Sequence, residues 1–174
     1  MSSVVEERLK KEYSDKIVEL YSFRGDPNVV VKASDLIEIC RFLKTDSELR
    51  FSFLSCITAA DYLGIREKRF ELVYVLYSIP KRLRVIIKVR VDDGGEAPSL
   101  TTLWDTANFQ EREVYDMFGI KFTGHPDMTR ILMDEDWIGH PQRKDFPLTY
   151  EVPHFTHNKD HIDSRHRSPW RGDE

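Results

Sequence analysis

The clearest pattern in the chain is a strict alternation over residues 83–91. Every second position there holds a branched aliphatic residue: Leu83, Val85, Ile87, Val89 and Val91. Arg84, Ile86, Lys88 and Arg90 fall between them. Successive side chains of a β-strand point to opposite faces, so a period of two predicts a strand. We expect one face of this strand in the core and the other largely in water.

Further apolar runs predict the other strands of a sheet. Residues 70–79 are joined to residues 83–91 by a link of only three residues, which is typical of a hairpin. Residues 51–62 are apolar on both faces and favour a covered, central strand. Residues 16–23 and 29–33 flank a turn of Gly, Asp, Pro and Asn and predict a second hairpin.

Helical periodicity appears between and before these runs. Residues 34–44 place Leu36, Cys40 and Leu43 on one face, with Ser34 in the N-cap position. The charged first sixteen residues also read as helical. The pattern therefore predicts an α+β fold over residues 1–120. In it, four or five mostly antiparallel strands carry helices packed on the sheet.

A further helix is predicted at residues 107–118, and it has an acidic residue on its apolar face. Its stripe at helical spacing consists of Trp104, Ala107, Val114 and Phe118, with Gly119 placed to end the helix. Glu111 falls in the middle of that stripe. Either Glu111 reaches water at the helix edge, or Arg130, Arg143 or Lys144 folds back and pairs with it. Arg112 and Asp116, at i,i+4 spacing, are predicted to pair on the opposite side.

The chain changes character after residue 120. Five of the eight prolines and all six histidines lie between residues 121 and 174, without a long helical or strand period. Apolar residues nevertheless recur there: Phe122, Ile131, Leu132, Met133, Trp137, Ile138, Phe146, Leu148, Phe155 and Trp170. Disordered tails usually lack such residues. We therefore predict that residues 121–174 form an extended, irregular C-terminal arm that lays these apolar residues on another surface.

Composition excludes several classes of function. The net charge of −4 argues against nucleic-acid binding, for which a sheet face with Arg84, Lys88 and Arg90 is the one favourable feature. The chain has none of the glycine-rich phosphate motifs. Its two cysteines, Cys40 and Cys56, cannot supply the four thiolates of an iron–sulfur cluster and are predicted to be buried free thiols.

Neither a membrane segment nor a signal peptide is apparent. The apolar runs are strand-sized, far short of the ~20 residues that a membrane helix needs, and the N-terminus has no apolar core. We expect a cytoplasmic chain without direct membrane insertion. One alternative is a stand-alone metal-binding protein that uses His154, His157 and His161 of the C-terminal region.

The helix and the segment after it resemble a known signature. Residues 111–132, EREVYDMFGIKFTGHPDMTRIL, are similar to the signature of the 30 kDa, or C-type, subunits of respiratory complex I, the proton-pumping NADH:quinone oxidoreductase. Residues 139–148, GHPQRKDFPL, also resemble that family, and the likeness covers about residues 15–155. One departure is Thr129, where the signature prefers a basic residue or proline.

The resemblance carries over to the following signature and interface residues: Glu111, Arg112, Glu113, Asp116, Met117, Phe118, His125, Pro126, Asp127, Arg130, Ile131, Leu132, Arg143, Lys144, Asp145, Phe146 and Pro147. It assigns none of them to catalysis, to a cofactor or to a metal. It implies that Glu111 helps to lock the arm to the domain. Because the chain ends at Glu174, the unfused form of this protein is expected.

The resemblance also implies a place in a larger enzyme. It predicts a non-catalytic, cofactor-free subunit of the hydrophilic arm, peripheral at the cytoplasmic face of the inner membrane. Its partners would be the 49 kDa-type (D-type) subunit and neighbouring iron–sulfur subunits, with FMN and the clusters in those partners and quinone as the electron acceptor. The equivalent subunit of a membrane-bound hydrogenase, or of a quinone oxidoreductase with another donor, is the alternative within this class.

Overall fold

The computed structural model describes residues 2–148 of the chain, with side chains from Val4 onward. Short turns separate most of its elements. Over that range the helices and strands are α1 (Ser2–Tyr13), β1 (Ile17–Phe23), β2 (Asp26–Val31), α2 (Leu36–Thr45), β3 (Phe53–Asp61), β4 (Phe70–Ser78), β5 (Leu83–Val91), β6 (Glu96–Pro98), α3 (Ala107–Phe118) and β7 (Lys121–Thr123).

The main sheet has five strands in the order β1-β2-β5-β4-β3. The pairs β1/β2, β3/β4 and β4/β5 are antiparallel, whereas β2 and β5 are parallel. The predicted α+β class, the mostly antiparallel sheet and the hairpin of residues 70–79 and 83–91 are confirmed. The parallel pair arises because the chain leaves β2 through α2, forms β3 at the far edge and then returns strand by strand toward β2.

The core lies on one face of this sheet. The alternating positions of β5 are buried there beside Leu72 and Tyr74 of β4, which pair with Val89 and Ile87. The predicted apolar face of α2 is fully buried against them. Each large aliphatic side chain in such a position stabilises the fold by about 1.5–3 kcal/mol. The predicted cap is wrong, however: Ser34 lies inside a 3-10 turn (Ala33–Asp35) before α2.

The prediction of a central strand at residues 51–62 is wrong. β3 is an edge strand, and Phe53 and Cys56 are exposed on its uncovered face, so only Cys40 of the two thiols is buried. Helix α3 packs on the opposite face of β3, and this contact explains the apolar residues of the strand on that face. At the bulge in β3, the side-chain oxygen of Gln110 accepts a hydrogen bond of 2.6 Å from the Ile57 N–H. Gln110 thereby caps a backbone donor at the sheet edge.

The face of β5 that points away from the core is less exposed to solvent than the alternation of the sequence predicts. Lys88 and Arg90 are half-buried because the carboxylate of Glu71, on the neighbouring strand, lies beneath them at 3.5 and 3.6 Å. Glu71 itself is only 3% exposed. A buried carboxylate needs basic partners, and it draws these long side chains across the sheet.

None of the helices among residues 2–148 is long and apolar enough to cross a lipid bilayer. Beyond β7, which pairs in parallel with β6, residues 124–148 form turns and bends without helix or strand. Apart from β7 at its start, the predicted irregularity of the arm is confirmed up to residue 148. Its boundary at residue 120 and its contact with partner subunits stay predictions, and residues 149–174 lie outside the described residues.

Candidate functional site

Helix α3 carries two fully buried carboxyl groups on different faces. Glu111 and Asp116 are both 0% exposed. Glu111 shares its side with Ala107 and Val114, as the apolar stripe predicts, so the alternative that it reaches water is wrong. Because the two acids point to different sides, α3 must be covered from more than one direction.

Glu111 has no Arg or Lys partner in the described structure. Its Oε1 accepts a hydrogen bond from the Leu100 N–H, and its Oε2 accepts one from the Ser99 hydroxyl, both at 2.7 Å. The prediction that Arg130, Arg143 or Lys144 pairs with it is therefore wrong. Those residues are engaged elsewhere, and Glu111 instead joins α3 to the turn that follows β6.

His125 is the nearest ionisable group to Glu111 in the arm. Its Nε2 lies 4.0 Å from Oε2 of Glu111, and both side chains are 0% exposed. The Nδ1 of His125 accepts a hydrogen bond from the Asp127 N–H, and its Nε2 lies 3.1 Å from the Asn108 carbonyl. These contacts suit an N–H at Nε2 that donates to the Asn108 carbonyl of α3. His125 thus joins the arm to the first turn of the helix.

Burial raises the pKa of Glu111 to about 7, against the downward influence of its bonds to Leu100 and Ser99. The unfolded carboxyl ionises near pH 4.5, so the folded state holds more protons than the unfolded state between these values. The stabilisation is complete below the unfolded pKa and is lost as the pH rises through the folded pKa. A shift of this size corresponds to about 3 kcal/mol.

We therefore expect the contribution of Glu111 to the free energy of unfolding to fall between about pH 5 and about pH 8. In Glu111→Gln this fall should be absent, because the amide stays neutral and the Ser99 hydroxyl can turn to accept from it. Urea unfolding at several pH values measures the slope. Glu113→Gln, an exposed position of the same helix, should keep the wild-type slope. Equal slopes in wild type and Glu111→Gln would contradict the assignment to Glu111.

Asp116 is the centre of the contacts between α3 and the arm. Its Oδ2 accepts hydrogen bonds from three consecutive backbone N–H groups, those of Ile131, Leu132 and Met133, at 3.1, 2.8 and 2.9 Å. Its Oδ1 lies 2.6 Å from Nη1 of Arg130. Burial acts to raise the pKa of Asp116, but these donors outweigh it and hold the pKa below its usual value.

The basic residues around Asp116 also bind the arm itself. Arg130 donates through Nη2 to the carbonyls of Trp137 and Gly139, each at 3.0 Å. Arg112 does not pair with Asp116, so that prediction is wrong. It donates to Thr129 and to the carbonyl of Arg130. Thr129 is the residue that departs from the signature. Its carbonyl and its hydroxyl accept hydrogen bonds from Arg112.

The end of α3 is contacted by the next part of the arm. The Gln142 N–H donates to the carbonyl of Met117 at 3.0 Å, and Nδ1 of His140 lies 2.9 Å from the carbonyl of Asp116. Nη1 of Arg143 reaches the carbonyl of Phe118 at 3.5 Å. Carbonyls of the last helical turn need partners outside the helix, and the arm supplies them. The arm therefore folds back along α3 from His125 to Arg143.

A second ionic cluster fixes residues 143–145 to the sheet. Arg69, with its side chain 9% exposed, contacts the carboxylates of Asp61, Asp93 and Asp145 at 2.8, 2.7 and 2.6 Å. Arg143 binds both oxygens of Asp93 at 2.6 Å. The Lys144 N–H donates to Asp61 at 2.9 Å. Although burial opposes it, the bonds from Arg69, Lys144 and Leu63 lower the pKa of Asp61 to about 2.

Gly119 ends α3 in a left-handed backbone conformation that residues with a Cβ rarely adopt. Its φ is +79°, and its N–H donates to the Tyr115 carbonyl at 2.8 Å. A Cβ built on Gly119 would lie 2.6 Å from Cδ2 of His140. The position therefore requires both a left-handed backbone and close approach of the arm.

We expect Gly119→Ala to lower the free energy of unfolding by about 2–4 kcal/mol, because strain in φ adds to the clash with His140. Gly124→Ala is the matched control. Gly124 has a φ of +84° with nothing within 4 Å of the added Cβ, so it should show the backbone cost alone, about 1 kcal/mol. Chemical denaturation of both variants gives the difference. Equal losses would mean that the contact with His140 contributes nothing.

The remaining signature residues divide between buried and exposed positions. Met117 and Phe118 are in the core, whereas Glu113 is exposed. The Asp127 carboxylate accepts from the Thr129 N–H, and Phe146 stacks on Trp137. Several apolar side chains of the arm remain on the surface: Ile131 at 37%, Ile138 at 56%, Leu132 at 62% and Leu148 at 99%.

Several residues that organise this site lie outside the predicted set. Asp61 at the end of β3, Arg69 just before β4 and Asp93 just after β5 are distant in sequence from the arm residues that they bind. Ser99 binds Glu111 of α3. No helical or strand periodicity in the sequence pointed to these residues. The pair Asp61 and Arg69, at opposite ends of the loop between two strands, was the one local cue.

No group of His, Cys, Asp and Glu among the described residues is arranged to bind a metal ion. The histidines of the alternative metal site, His154, His157 and His161, lie outside the described residues.

Comparison with known proteins identifies the family. Residues 29–152 match the family described as respiratory-chain NADH dehydrogenase, 30 Kd subunit. The chain is 51% identical over 162 residues to the C subunit of NADH-quinone oxidoreductase from Roseiflexus sp. (strain RS-1), an alignment that covers 92% of each chain. The corresponding protein of Geobacter metallireducens is 46% identical over 142 residues, covering 81% of this chain and 86% of that one.

Solved structures agree with this result. The trypsin-resistant fragment (1–134) of Nqo5 is 34% identical, with a TM-score of 0.63, and the match covers 71% of this chain and 98% of the fragment. A chain of an archaeal respiratory membrane complex, the membrane-bound sulfane sulfur reductase, is 26% identical with a TM-score of 0.71 over 99% of this chain and 94% of that one. The fold, the signature around α3 and these similarities together show that the chain belongs to the family of 30 kDa subunits of respiratory-chain NADH dehydrogenase.

Proposed function

We propose that this chain is a non-catalytic, cofactor-free subunit of the hydrophilic arm of NADH:quinone oxidoreductase, and that it holds the quinone-reducing module together. In that complex, electrons pass from NADH through FMN and iron–sulfur clusters to quinone, and their transfer is coupled to proton translocation. The observation that carries the proposal is the use of both buried acids of α3. Asp116 binds the arm, and Glu111 binds the turn that follows β6. These are structural contacts that position a surface.

The surface positioned in this way suits a subunit interface. Asp116 and Arg130 fix the backbone of residues 130–133, and the apolar side chains of Ile131 and Leu132 extend outward from that same stretch. Apolar side chains on a fixed backbone lose little further conformational freedom on binding, which favours association. We assign this surface to contacts with the 49 kDa-type subunit and its iron–sulfur neighbours at the cytoplasmic face of the membrane.

The relatives support the assignment of NADH as the electron donor. Those at 46–51% identity are named as C subunits of NADH-quinone oxidoreductase, whereas the chain of the sulfane sulfur reductase is 26% identical. The cofactor-free assignment is supported by the two cysteines, of which Cys40 is buried in the core and Cys56 lies on the exposed face of β3. Two thiols in separate environments cannot ligate a four-thiolate cluster.

Purification of the tagged chain from solubilised membranes tests the proposal. We expect flavin, iron and NADH–quinone reductase activity to copurify with it, while the isolated chain shows no visible absorption and binds no NADH. The alternative of a stand-alone metal protein predicts the reverse. A stoichiometric metal in the isolated chain, lost on replacement of His154 and His157, would overturn our assignment.

We expect Glu111→Ala to lower the amount of assembled complex while leaving the turnover of each complex unchanged. The substitution leaves the Leu100 N–H and the Ser99 hydroxyl without their acceptor and opens a cavity under α3. Quinone reductase activity divided by the amount of assembled complex is the measurement. Glu113→Ala, at an exposed position, is the control. Normal assembly with a large drop in turnover would show that Glu111 has a chemical role.

A further inference from the structure

Two hairpin turns lie side by side at one end of the main sheet. One joins β1 to β2 and the other joins β4 to β5. Because β2 and β5 are neighbouring parallel strands, the turns that precede them lie at the same end. The side chains of Asp26 and Arg84 form an ion pair between the two hairpins. We call this part of the surface, residues 23–26 and 79–84, the turn end.

The turn end carries three cations that no acid neutralises. Arg24, Lys81 and Arg82 are exposed, and none of them forms an ion pair with a residue of the described range 4–148. Asp26 is the one acid of the turn end, and its charge is already offset by Arg84. The whole chain has a net charge of −4, so this surface has the opposite sign to the protein as a whole. Such a local excess of positive charge attracts carboxylates.

Two of these cations occupy backbone positions that favour other residue types. Arg24 and Arg82 both have a φ of +52°. Residues with a Cβ are disfavoured in this left-handed region, and hairpin turns usually place Asn, Asp or Gly there. The turns themselves therefore do not explain an arginine at both positions. Strained conformations of this kind persist where the side chain has a function, which here would lie outside the turns.

Exposed apolar side chains accompany the cations. Phe23 and Ile79, in the two turns, are 60% and 62% exposed, and Phe53 at the start of β3 is 43% exposed. A groove of about 430 Å³ is lined by residues of both turns, by Phe53 and by the half-buried Val75 and Tyr77 of β4. A groove can receive a side chain that protrudes from a protein surface, whereas a lipid bilayer would meet only the tips of the turns. The shape therefore favours a protein partner.

We propose that the turn end binds an acidic loop of a partner subunit, whose carboxylates meet Arg24, Lys81 and Arg82 and whose one large apolar side chain enters the groove. The charges select the partner, and the apolar side chain supplies most of the affinity. This inference rests on the proposed function only in so far as the chain is a subunit of a larger complex. It assigns a second contact surface, because Asp145 fixes the arm at Arg69, just before β4, whereas the turn end follows that strand.

The double variant Arg24→Asn/Arg82→Asn separates binding from folding. Asn adopts the left-handed conformation readily, so the isolated variant should unfold at the same urea concentration as wild type or at a higher one. In the complex purified through the tagged chain, the variant should nevertheless release the flavin of its partner subunits about tenfold faster at a fixed salt concentration. Timed washes measure this release. Lys10→Asn/Lys11→Asn removes two exposed cations of α1 and should release flavin as wild type does.

Four other results would overturn the inference. Flavin that copurifies with wild type and leaves the arginine variant at the same rate would refute the turn end while the proposed function stands. Equally fast release from both double variants would show an effect of overall charge only. A lower urea midpoint in the arginine variant would assign the arginines to folding. Cosedimentation of the isolated wild-type chain with phosphatidylglycerol vesicles, lost in the arginine variant, would assign the turn end to a membrane surface instead.

Discussion

Asp116→Asn is expected to lower the free energy of unfolding of the chain by about 3–5 kcal/mol. The substitution keeps the size of the side chain but removes the charge that compensates Arg130, whose side chain is only 14% exposed. Three backbone N–H groups, those of residues 131–133, would also share an uncharged acceptor. Removing one member of a buried ion pair leaves the other uncompensated, and that cost dominates.

Urea denaturation of the purified chain measures this loss. Asp136→Asn is the matched control, because Asp136 lies in the same arm and is exposed, and we expect it to change stability by less than about 0.5 kcal/mol. In the complex, Asp116→Asn should reduce assembly more than Glu111→Ala does, since Asp116 contacts the arm directly. A loss below about 1 kcal/mol would mean that the ion pair with Arg130 is not a determinant of the arm's position.

Arg69→Met is expected to cost a similar amount, about 3–5 kcal/mol. Methionine retains much of the apolar length of the side chain, so the loss reports the charge. Asp61, with its side chain 2% exposed, would be left in the core without its cation. Asp93 and Asp145 are 48% and 35% exposed and would be rehydrated, so their contribution is smaller.

Lys68→Met is the control for Arg69→Met. Lys68 is the preceding residue, is 50% exposed and lies 3.7 Å from Asp92, an arrangement that contributes at most about 1 kcal/mol. Limited trypsin digestion supplies a second measurement, because release of residues 143–145 should speed cleavage after Arg143 and Lys144. Unchanged cleavage together with a full loss of stability would show that Arg69 acts on the sheet alone.

The two ionic clusters bind the same segment at two separate points. Asp116 and Arg130 fix residues 130–133 on α3, and Arg69 and Asp61 fix residues 143–145 at the end of the sheet. Buried ion pairs contribute little net stability compared with apolar packing, but a wrong arrangement leaves charges unpaired and is costly. Such pairs therefore specify one path for an irregular segment.

The regular elements were predictable because their signals are local. The alternation in residues 83–91 and the short link before it predicted the β4–β5 hairpin, and Gly119 marked the end of α3. The position of β3 was not predictable in this way. Apolar residues on both faces of a strand indicate that both faces are covered, but α3 covers only one face of β3, and Phe53 and Cys56 are exposed on the other. The number of neighbouring strands is not recorded in this pattern, and β3 lies at the edge of the sheet.

The partner of Glu111 shows the limit of the same reasoning. Burial of Glu111 followed from its place in an apolar stripe, and the structure confirms it. The choice of partner depends on competition among basic residues for several acids. Arg130 binds Asp116, which also collects three backbone donors, and Arg143 binds Asp93. Glu111 is left with hydrogen bonds from a hydroxyl and a backbone N–H, and burial raises its pKa to about 7 in spite of them.

The sequence by itself determined the α+β class, the helix that carries two acids, the irregular arm and the resemblance to the 30 kDa family, because periodicity and a contiguous signature are properties of neighbouring residues. Only the tertiary structure decided which acid meets which base, that β3 lies at an edge, and that Arg69 joins the sheet to residues 143–145. Those contacts join residues far apart in sequence, and their outcome depends on burial and on competition for hydrogen-bond partners that no local pattern records.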